Sequence, residues 1–398
     1  MEVRKIYCII IPVVLAIFLF NACQSAVEDA EHVRREKKLV YVGSVSALPA
    51  TYISPDSNLP APEKTELGRL LFYDPVLSGG RDVACATCHH PEYGYAESLD
   101  LSVGVNGKGF GEQRAFKQPN NIPFAKRNAP SLLNVAFNGI GENGDYSPKD
   151  APMFWDNRAR GLEAQALIPI ATFEEMRGHQ FDEVAVTNEI VQRLNDIPEY
   201  KRLFKKVFEG NDKVTLTNIC KALAAFERSL LANNSRFDKY MRGDMSAMSG
   251  RELDGMKAFI DAGCARCHSG PMFSDFKPHV LGVAENEKLA APDSGYQKTF
   301  AFRTPTVRNL RFTRPYVHNG KIQTIENVLL FYDDLHKPEL PNKHVRKDQL
   351  DTLAVMMKLD FENINNIVDF LNALNDDAYD KKIPVSVPSG LSPRGNIK

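Results

Sequence analysis

Net charge, strand-forming patterns and membrane-length apolar runs are all scarce in this chain of 398 residues. Its 49 Lys and Arg residues nearly balance 50 Asp and Glu residues, which leaves a formal net charge of −1 at pH 7. Without a basic surplus, the chain offers no general attraction for nucleic acid, and we expect no nucleic-acid partner. Because amphipathic segments far outnumber strand patterns, the sequence predicts a mainly α-helical protein. Its length suits two domains that each bury a core.

The N-terminal apolar run covers residues 6–20 and follows two basic residues. It is short for a membrane span and has the proportions of a secretory signal peptide. The run ends at Ala22-Cys23, a small residue before a cysteine, as at a lipoprotein cleavage site. We therefore assign 1–23 to a signal peptide with a lipoprotein site and 24–60 to a polar tether. An uncleaved anchor and an ordinary secretory signal are the alternatives, and all three place the protein outside the cytoplasm, in the periplasm.

Cysteines are few, but four of the seven form two motifs of identical spacing. The motifs are Cys85-Ala86-Thr87-Cys88-His89 and Cys264-Ala265-Arg266-Cys267-His268. Two thiols three positions apart can add to the two vinyl groups of one haem, and the next histidine then ligates the iron. Disulfides would not require a histidine after each pair, and a zinc site shared by both pairs would leave the histidines unexplained. The pattern therefore predicts two covalently bound haem c groups.

The chain has the organisation of an internal duplication, in which a short helix precedes each haem motif. These helices are predicted over 66–72 and 249–259, and the second begins with the capping-box pair Ser249 and Glu252. Further helices are predicted over 182–194, 201–208, 216–231, 324–332 and 363–374.

Two segments rich in Gly, Pro and Asn, 91–152 and 269–316, are predicted to be long loops that wrap the haems. The resulting domains are 61–235 around the first motif and 236–383 around the second. The segment 384–398 is rich in Pro, Ser and Gly, which favours a flexible tail.

Beyond the haem motifs, several stretches recur in the order typical of one protein family. They include Arg127-Asn128-Ala129-Pro130-Ser131-Leu132-Leu133-Asn134, Phe154-Trp155-Asp156-Asn157-Arg158-Ala159, Arg303-Thr304-Pro305-Thr306-Val307-Arg308-Asn309 and Pro315-Tyr316-Val317-His318-Asn319-Gly320. Through these stretches the sequence resembles the bacterial di-haem cytochrome c peroxidase family. The resemblance implies two cytochrome c-like haem domains packed face to face. It also implies reduction of hydrogen peroxide to water with electrons from a small redox protein, either a cytochrome c or a cupredoxin.

The resemblance also implies roles for three side chains. Glu175 would be the acid/base over the N-terminal haem, with Gln165 as its polar companion. Trp155, the single tryptophan, would relay electrons between the haems. Without the resemblance, Glu174-Glu175 is typical of a solvated pair and Trp155 of a core aromatic.

A calcium site is implied at Asn128, Thr313 and Pro315, through one side-chain amide and two backbone carbonyls. Hard oxygen ligands of this kind suit calcium. The alternative is that Asn128 caps a turn.

The sequence departs from typical members of the family at both second axial positions. Typical members cap the N-terminal haem with a loop histidine, but the loop from Pro91 to Arg127 contains neither histidine nor methionine. We therefore expect an iron at His89 that is open without reductive activation. His90 is badly placed for the opposite face of the haem, and His179 is the remaining candidate, although a surface position is the simpler interpretation.

Typical members cap the C-terminal haem with a methionine, and the corresponding position here is Tyr332. A tyrosine at this position resembles the methylamine-utilisation di-haem enzymes, although a tyrosine at the end of an amphipathic helix is usually a core residue. Met356 and Met357 lie well past the helix. A phenolate stabilises ferric iron, so His268 and Tyr332 together predict a low-potential haem.

Two other functions remain open. One is a methylamine-utilisation-type enzyme that uses peroxide equivalents to oxidise residues of a partner protein. The other is a di-haem electron-transfer cytochrome without catalysis, which would need both irons six-coordinate and no acid/base.

Overall fold

The computed structural model describes residues 45–211 and 213–397, so the predicted signal peptide and Cys23 lie outside the described residues. Within those ranges, no helix combines the length and the apolar character needed to cross a membrane. The described α-helices are α1 (Pro62–Tyr73), α2 (Cys85–Cys88), α3 (Leu162–Gln165), α4 (Leu167–Ala171), α5 (Glu183–Asp196), α6 (Pro198–Val207), α7 (Leu216–Arg228), α8 (Arg236–Met241), α9 (Gly250–Asp261), α10 (Ile325–Asp334), α11 (Thr352–Val355) and α12 (Ile364–Ala373).

The strands are short and form three two-stranded antiparallel sheets. The pairs are β1 (Gly107–Lys108) with β2 (Ala115–Phe116), β3 (Pro152–Met153) with β4 (Ala159–Arg160), and β5 (Pro278–Val280) with β6 (Ala301–Arg303). The prediction of a mainly helical protein is confirmed. The two predicted loop segments contain only these strands and short 3₁₀ turns, so they are long loops as expected.

The two halves of the chain repeat one helix contact. A Cβ atom on Gly68 of α1 would lie 1.9 Å from the carbonyl oxygen of Ala222 in α7. A Cβ atom on Gly255 of α9 would lie 1.8 Å from the carbonyl oxygen of Asn366 in α12. Only glycine allows helix backbones to approach so closely. Each haem motif is therefore preceded by a helix that crosses a later helix at a glycine, which agrees with the predicted duplication.

Two separate hydrophobic cores accompany these helix pairs. The first includes Phe72 of α1 and Phe226 of α7, whose ring centroids are 5.1 Å apart. The second includes Phe259 of α9 and Phe370 of α12, whose centroids are 5.4 Å apart. Buried aromatic pairs of this kind contribute much of the apolar area that each core removes from water. Each haem motif therefore has a core of its own beside it.

The C-terminal segment differs from the predicted flexible tail. Its backbone is bonded to the first half of the chain: the Arg394 N–H donates to the Tyr73 carbonyl at 2.8 Å, and the Thr87 hydroxyl donates to the Arg394 carbonyl at 2.7 Å. The Ser389 hydroxyl donates to Asp74 at 2.6 Å. Composition favoured flexibility because few apolar residues are present, but paired backbone groups order the segment instead.

The predicted tether also differs from the structure where it is described. Val45 and Leu48 are fully buried rather than solvated: Val45 packs in the core of the C-terminal half, and Leu48 packs with residues of both halves, among them Phe137 and Met272. The Leu48 N–H donates to the buried Asp238 carboxylate at 3.0 Å. The sequence could not show this contact because Asp238 lies 190 positions away.

Candidate active site around the two haem motifs

A single cavity of about 630 Å³ reaches both haem motifs. The cysteines and histidines of the motifs line its wall: Cys85, Cys88, His89, Cys264, Cys267 and His268. All four motif cysteines are free thiols, so no disulfide competes for them. The cavity therefore presents two thiol pairs and two imidazoles to one enclosed space.

Both motif histidines are held in the same way. The His89 Nδ1 atom lies 2.9 Å from the Tyr95 carbonyl, and the His268 Nδ1 atom lies 3.0 Å from the Phe273 carbonyl. A carbonyl partner places the proton on Nδ1 and leaves Nε2 free to ligate a metal. Burial lowers the pKa of both imidazoles, which favours the neutral form that binds iron. The donors at each motif therefore fit a covalently bound haem.

Glu175 lies in the same cavity, on a π-helical turn formed by Phe173–Arg177. Burial raises the pKa of its carboxyl to about 7; the nearby charge of Arg158 opposes the rise, and that of Glu174 adds to it. A carboxyl with a pKa near neutrality can both accept and donate a proton at physiological pH. The pattern of two adjacent glutamates did not reveal this burial.

The loop that contains Gly104 and Val105 packs against the backbone of the turn that carries Glu175. The Val105 N–H donates to the Glu175 carbonyl at 3.1 Å. A Cβ atom on Gly104 would lie 2.3 Å from the carbonyl oxygens of both Glu174 and Glu175. Gly104 therefore permits the contact that fixes the backbone of Glu175.

Gln165 and Trp155 line the cavity together with Glu175. The Oε1 atom of Gln165 is buried and has no hydrogen-bond partner among the described residues. The Trp155 indole N–H donates to the Asn128 carbonyl at 2.9 Å. The Arg303 N–H donates to the Trp155 carbonyl at 2.7 Å, which fixes the tryptophan to the second half of the chain.

The other two histidine candidates lie outside the cavity that the first haem motif lines. His90 is buried against Phe110, and its Nδ1 atom accepts from the Glu92 N–H at 3.2 Å. His179 is exposed and pairs with Asn121 at 2.9 Å. Neither residue lines the cavity.

Tyr332 lines the cavity near the second motif, where burial raises the pKa of its hydroxyl. Within the described residues, no hydrogen bond to this hydroxyl is formed. Met357 lines the same cavity and belongs to the same hydrophobic core, although it lies well past α10 in the sequence. The prediction from the sequence considered only the helix that carries Tyr332 and excluded Met357 because it lies beyond that helix. In the structure, the chain returns to the cavity after α11, so Met357 also lines it.

The three predicted calcium ligands line one cavity as well: Asn128, Thr313 and Pro315. The Asn128 side-chain nitrogen donates to the Leu99 carbonyl at 2.8 Å, which turns its Oδ1 atom away from that loop. The Asn128 N–H donates to the His318 carbonyl at 2.8 Å, so Asn128 joins the two family stretches in which it and His318 lie.

Two charged residues at the cavity wall, Arg158 and Arg303, were assigned no role from the sequence. Arg158 lies 2.9 Å from Asp156, and its ring neighbour Phe154 has its centroid 3.6 Å from the guanidinium carbon. Arg303 is buried at the cavity wall. Both arginines lie in stretches that resemble the family, and this resemblance was the only feature of the sequence that could have pointed to them.

Several known proteins are similar to this chain over most of its length. A family model described as "Di-haem cytochrome c peroxidase" matches residues 62–246. Cytochrome c551 peroxidase of Nitrosomonas europaea is 31% identical over 335 residues, which covers 82% of this chain and 84% of that protein. Methylamine utilization protein MauG of Methylorubrum extorquens is 34% identical over 289 residues, which covers 71% and 72%.

A solved structure gives the same fold. A MauG-like protein associated with microbial copper homeostasis superposes with a TM-score of 0.66 at 24% identity, over 83% of this chain and 95% of the other. The family match confirms the predicted resemblance and the prediction of two haem groups. With relatives of this identity matched over most of their length, the chain belongs to the di-haem cytochrome c peroxidase family.

Proposed function

We propose that this protein is an extracytoplasmic di-haem peroxidase that reduces hydrogen peroxide to water with electrons from a small redox protein. The observation that carries the proposal is Glu175, a half-buried carboxyl with a pKa raised to about 7, in the cavity that the first haem motif lines. Two cytochrome c-like domains, 61–235 and 236–383, would face each other across this cavity. The two hydrophobic cores support this arrangement.

Bound haem would supply the iron at which the O–O bond of peroxide is cleaved. Glu175 would take the proton from the peroxide oxygen nearer the iron and give it to the farther one, which then leaves as water. The unpaired Gln165 Oε1 atom would accept a hydrogen bond from the peroxide hydroxyl and hold it in line with Glu175. Two electrons and two protons convert each peroxide to two waters. His90 and His179 both lie outside the cavity, which supports an open position opposite His89.

Trp155 would carry electrons between the two haems. It lines the cavity that both motifs share, and its two hydrogen bonds fix it to both halves of the chain. Tyr332 would ligate the second iron opposite His268. It lines the cavity, and its hydroxyl forms no hydrogen bond among the described residues, which supports this role.

Calcium would bind at the Asn128 amide oxygen and the carbonyl oxygens of Thr313 and Pro315. All three residues lie at the cavity wall, next to the carbonyl that accepts from Trp155. A cation at this position would rigidify the wall between the haems.

The electron donor and the location follow from the relatives and the N-terminus. Two of the matched relatives are named cytochrome c551 peroxidases, so a small cytochrome c is the favoured donor, with a cupredoxin as the other candidate. Export by the signal peptide and lipidation at Cys23 would place the protein in the periplasm, anchored to a membrane.

A second function is favoured by Tyr332. Relatives named MauG match at 34% and 32% identity, and an enzyme of that type would oxidise residues of a partner protein in place of a small donor. A third possibility, an electron-transfer cytochrome without catalysis, has no use for the half-buried Glu175.

The test is peroxide turnover by the two-haem protein with reduced cytochrome c or reduced cupredoxin. Glu175→Gln should lower turnover about 10²- to 10⁴-fold, the usual contribution of a positioned acid/base, while both haems stay attached. Glu174→Gln is the matched control and should retain most of the activity. Full activity in Glu175→Gln would contradict the mechanism.

Two further results separate the alternatives. Negligible turnover with either donor, together with oxidative modification of a co-purifying protein, would favour the MauG-type function. Two low-spin haems at rest, with no spectral change on adding peroxide, would favour the electron-transfer cytochrome.

A further inference from the structure

Three arginines lie close together at the cavity wall between the two haem motifs: Arg127, Arg158 and Arg303. Arg127 lies 2.7 Å from Asp156 and 2.9 Å from Asp293. Arg158 lies 2.9 Å from the other oxygen of Asp156. Arg303 lines the same wall. Arg127 and Arg158 are therefore paired with carboxylates, whereas Arg303 forms no ion pair among the described residues.

Arg303 also has few hydrogen-bond partners among the described residues. Its Nε atom is buried and has no hydrogen-bond partner among the described residues. Its Nη1 atom makes one long bond of 3.4 Å to the Pro152 carbonyl, and the Phe276 ring centroid lies 5.8 Å from the guanidinium carbon. Burial lowers the pKa of Arg303 to about 10, which leaves it charged at neutral pH. A guanidinium at a cavity wall with so few protein acceptors has donors available for an anion.

The backbone holds Arg303 between Trp155 and the second haem motif. The Arg303 N–H donates to the Trp155 carbonyl at 2.7 Å. The hydroxyl of the next residue, Thr304, donates to Asp275 at 2.7 Å, and the Asp275 N–H donates to the Cys267 carbonyl at 2.8 Å. A short chain of hydrogen bonds therefore links the second haem motif to Trp155, with Arg303 within it.

We propose that Arg303 binds a propionate carboxylate of the haem attached at Cys264 and Cys267, an inference that rests on the two-haem assignment of the proposed function. The cysteines hold the vinyl edge of that haem, so its propionates are left to interact with the rest of the wall. A guanidinium pairs with a carboxylate through two parallel N–H···O bonds, which the free donors of Arg303 can supply.

The pairing has a consequence for electron transfer. A propionate neutralised by Arg303 adds less negative potential at the iron, so the ferrous state is easier to reach. The backbone of Arg303 is hydrogen-bonded to that of Trp155. Arg303 would therefore tune the reduction potential next to the residue proposed to carry electrons between the haems.

The experiment is an equilibrium redox titration of the two-haem protein without peroxide. In Arg303→Gln, the reduction potential of the haem attached at Cys264 and Cys267 should fall by about 59 mV. For a one-electron couple, this corresponds to a ferric-to-ferrous ratio that is about tenfold higher at a fixed applied potential. The potential of that haem should also become pH-dependent near neutrality, because its propionate loses the charge that kept it ionised. The matched control is Arg251→Gln, which removes an exposed arginine paired with Asp369 and should leave both potentials unchanged.

The proposal is overturned if both potentials of Arg303→Gln, and their pH dependence, equal those of Arg251→Gln. If the glutamine variant does not load its haems, Arg303→Lys decides. Lysine keeps the charge but cannot form two parallel bonds, so a smaller shift with a pH-dependent potential is expected. A lysine variant with wild-type potentials at every pH would overturn the proposal. No step of the titration uses peroxide, so failure here is distinct from failure of the peroxidase assignment.

Discussion

The indole N–H of Trp155 donates a hydrogen bond of 2.9 Å to the backbone carbonyl of Asn128. This bond joins the single tryptophan to a candidate calcium ligand, so the residue proposed to relay electrons is fixed by the same wall that would bind the cation. Trp155 is about nine-tenths buried, so its orientation is set by this bond and by the packing around it.

Trp155→Phe should therefore affect both stability and electron transfer. It keeps an aromatic ring but leaves the buried Asn128 carbonyl without its donor, which costs about 1–3 kcal/mol of the free energy of unfolding. Reduction of one haem through the other should slow, measured by stopped-flow absorbance. Tyr379→Phe removes a hydrogen bond to the Pro91 carbonyl away from the cavity. Tyr379→Phe should lower the free energy of unfolding without changing the rate of electron transfer between the haems. Equal rates in both variants would exclude Trp155 as the relay.

Gly104→Ala should inactivate the enzyme without removing a catalytic group. The new Cβ atom would lie 2.3 Å from the Glu175 carbonyl oxygen, so the turn must shift. Overpacking of this kind costs about 1–3 kcal/mol, and a small displacement of the acid/base lowers turnover strongly. Gly250→Ala is the control, because no atom lies within 4 Å of its added Cβ. Peroxide turnover and haem content should be measured on both. Wild-type turnover in Gly104→Ala would show that the loop does not position Glu175.

The pH dependence of peroxide turnover should follow Glu175. As a base it works only when deprotonated, and burial raises its pKa to about 7. Below this pH, the reaction with peroxide should slow about tenfold per unit. Glu174→Gln removes a like charge and should move the profile to lower pH, whereas Arg158→Gln removes an opposite charge and should move it to higher pH. Identical profiles in the two variants would mean that another group titrates.

The second haem offers two candidate ligands, because Tyr332 and Met357 both line the cavity. We expect Tyr332→Phe to change the ferric EPR and near-infrared spectra of that haem and to raise its potential, since the phenolate that stabilises ferric iron is lost. Met357→Leu should leave the spectra unchanged. The reverse pattern would assign the iron to methionine and would weaken the link to the MauG-type function.

The buried pair of Arg308 and Asp238 should be important for folding. Both side chains are almost fully buried, and their atoms are 3.0 and 3.1 Å apart in a two-bond contact. Asp238→Asn leaves the guanidinium uncompensated and should cost about 3–5 kcal/mol of the free energy of unfolding. Asp348→Asn breaks an exposed pair with Arg346 and should change little, because solvent screens it. The free energies of unfolding of Asp238→Asn and Asp348→Asn should be measured by urea denaturation. Equal values would contradict the expectation that the buried pair contributes more to stability than the exposed one.

The sequence by itself determined the haem motifs, the helices before them and the family. These features are local: the spacing of Cys85, Cys88 and His89 is a property of five consecutive residues, and amphipathic helices are visible as periodic patterns. Each predicted helix matches a described one to within four residues at either end: α1 begins four residues earlier than expected, α6 begins three residues earlier, and α7 ends three residues earlier.

The tertiary structure alone decided what the chain brings together across long distances. The segment 384–397 packs on the first haem motif, Val45 packs on the second half, and Leu48 packs on both halves. Their backbone and apolar groups find partners that composition cannot reveal. Burial at the cavity wall likewise distinguishes Glu175 from a solvated glutamate, admits Met357 as a rival of Tyr332, and leaves Arg303 charged without an ion pair among the described residues. Each depends on the environment of a side chain, which only the folded chain supplies.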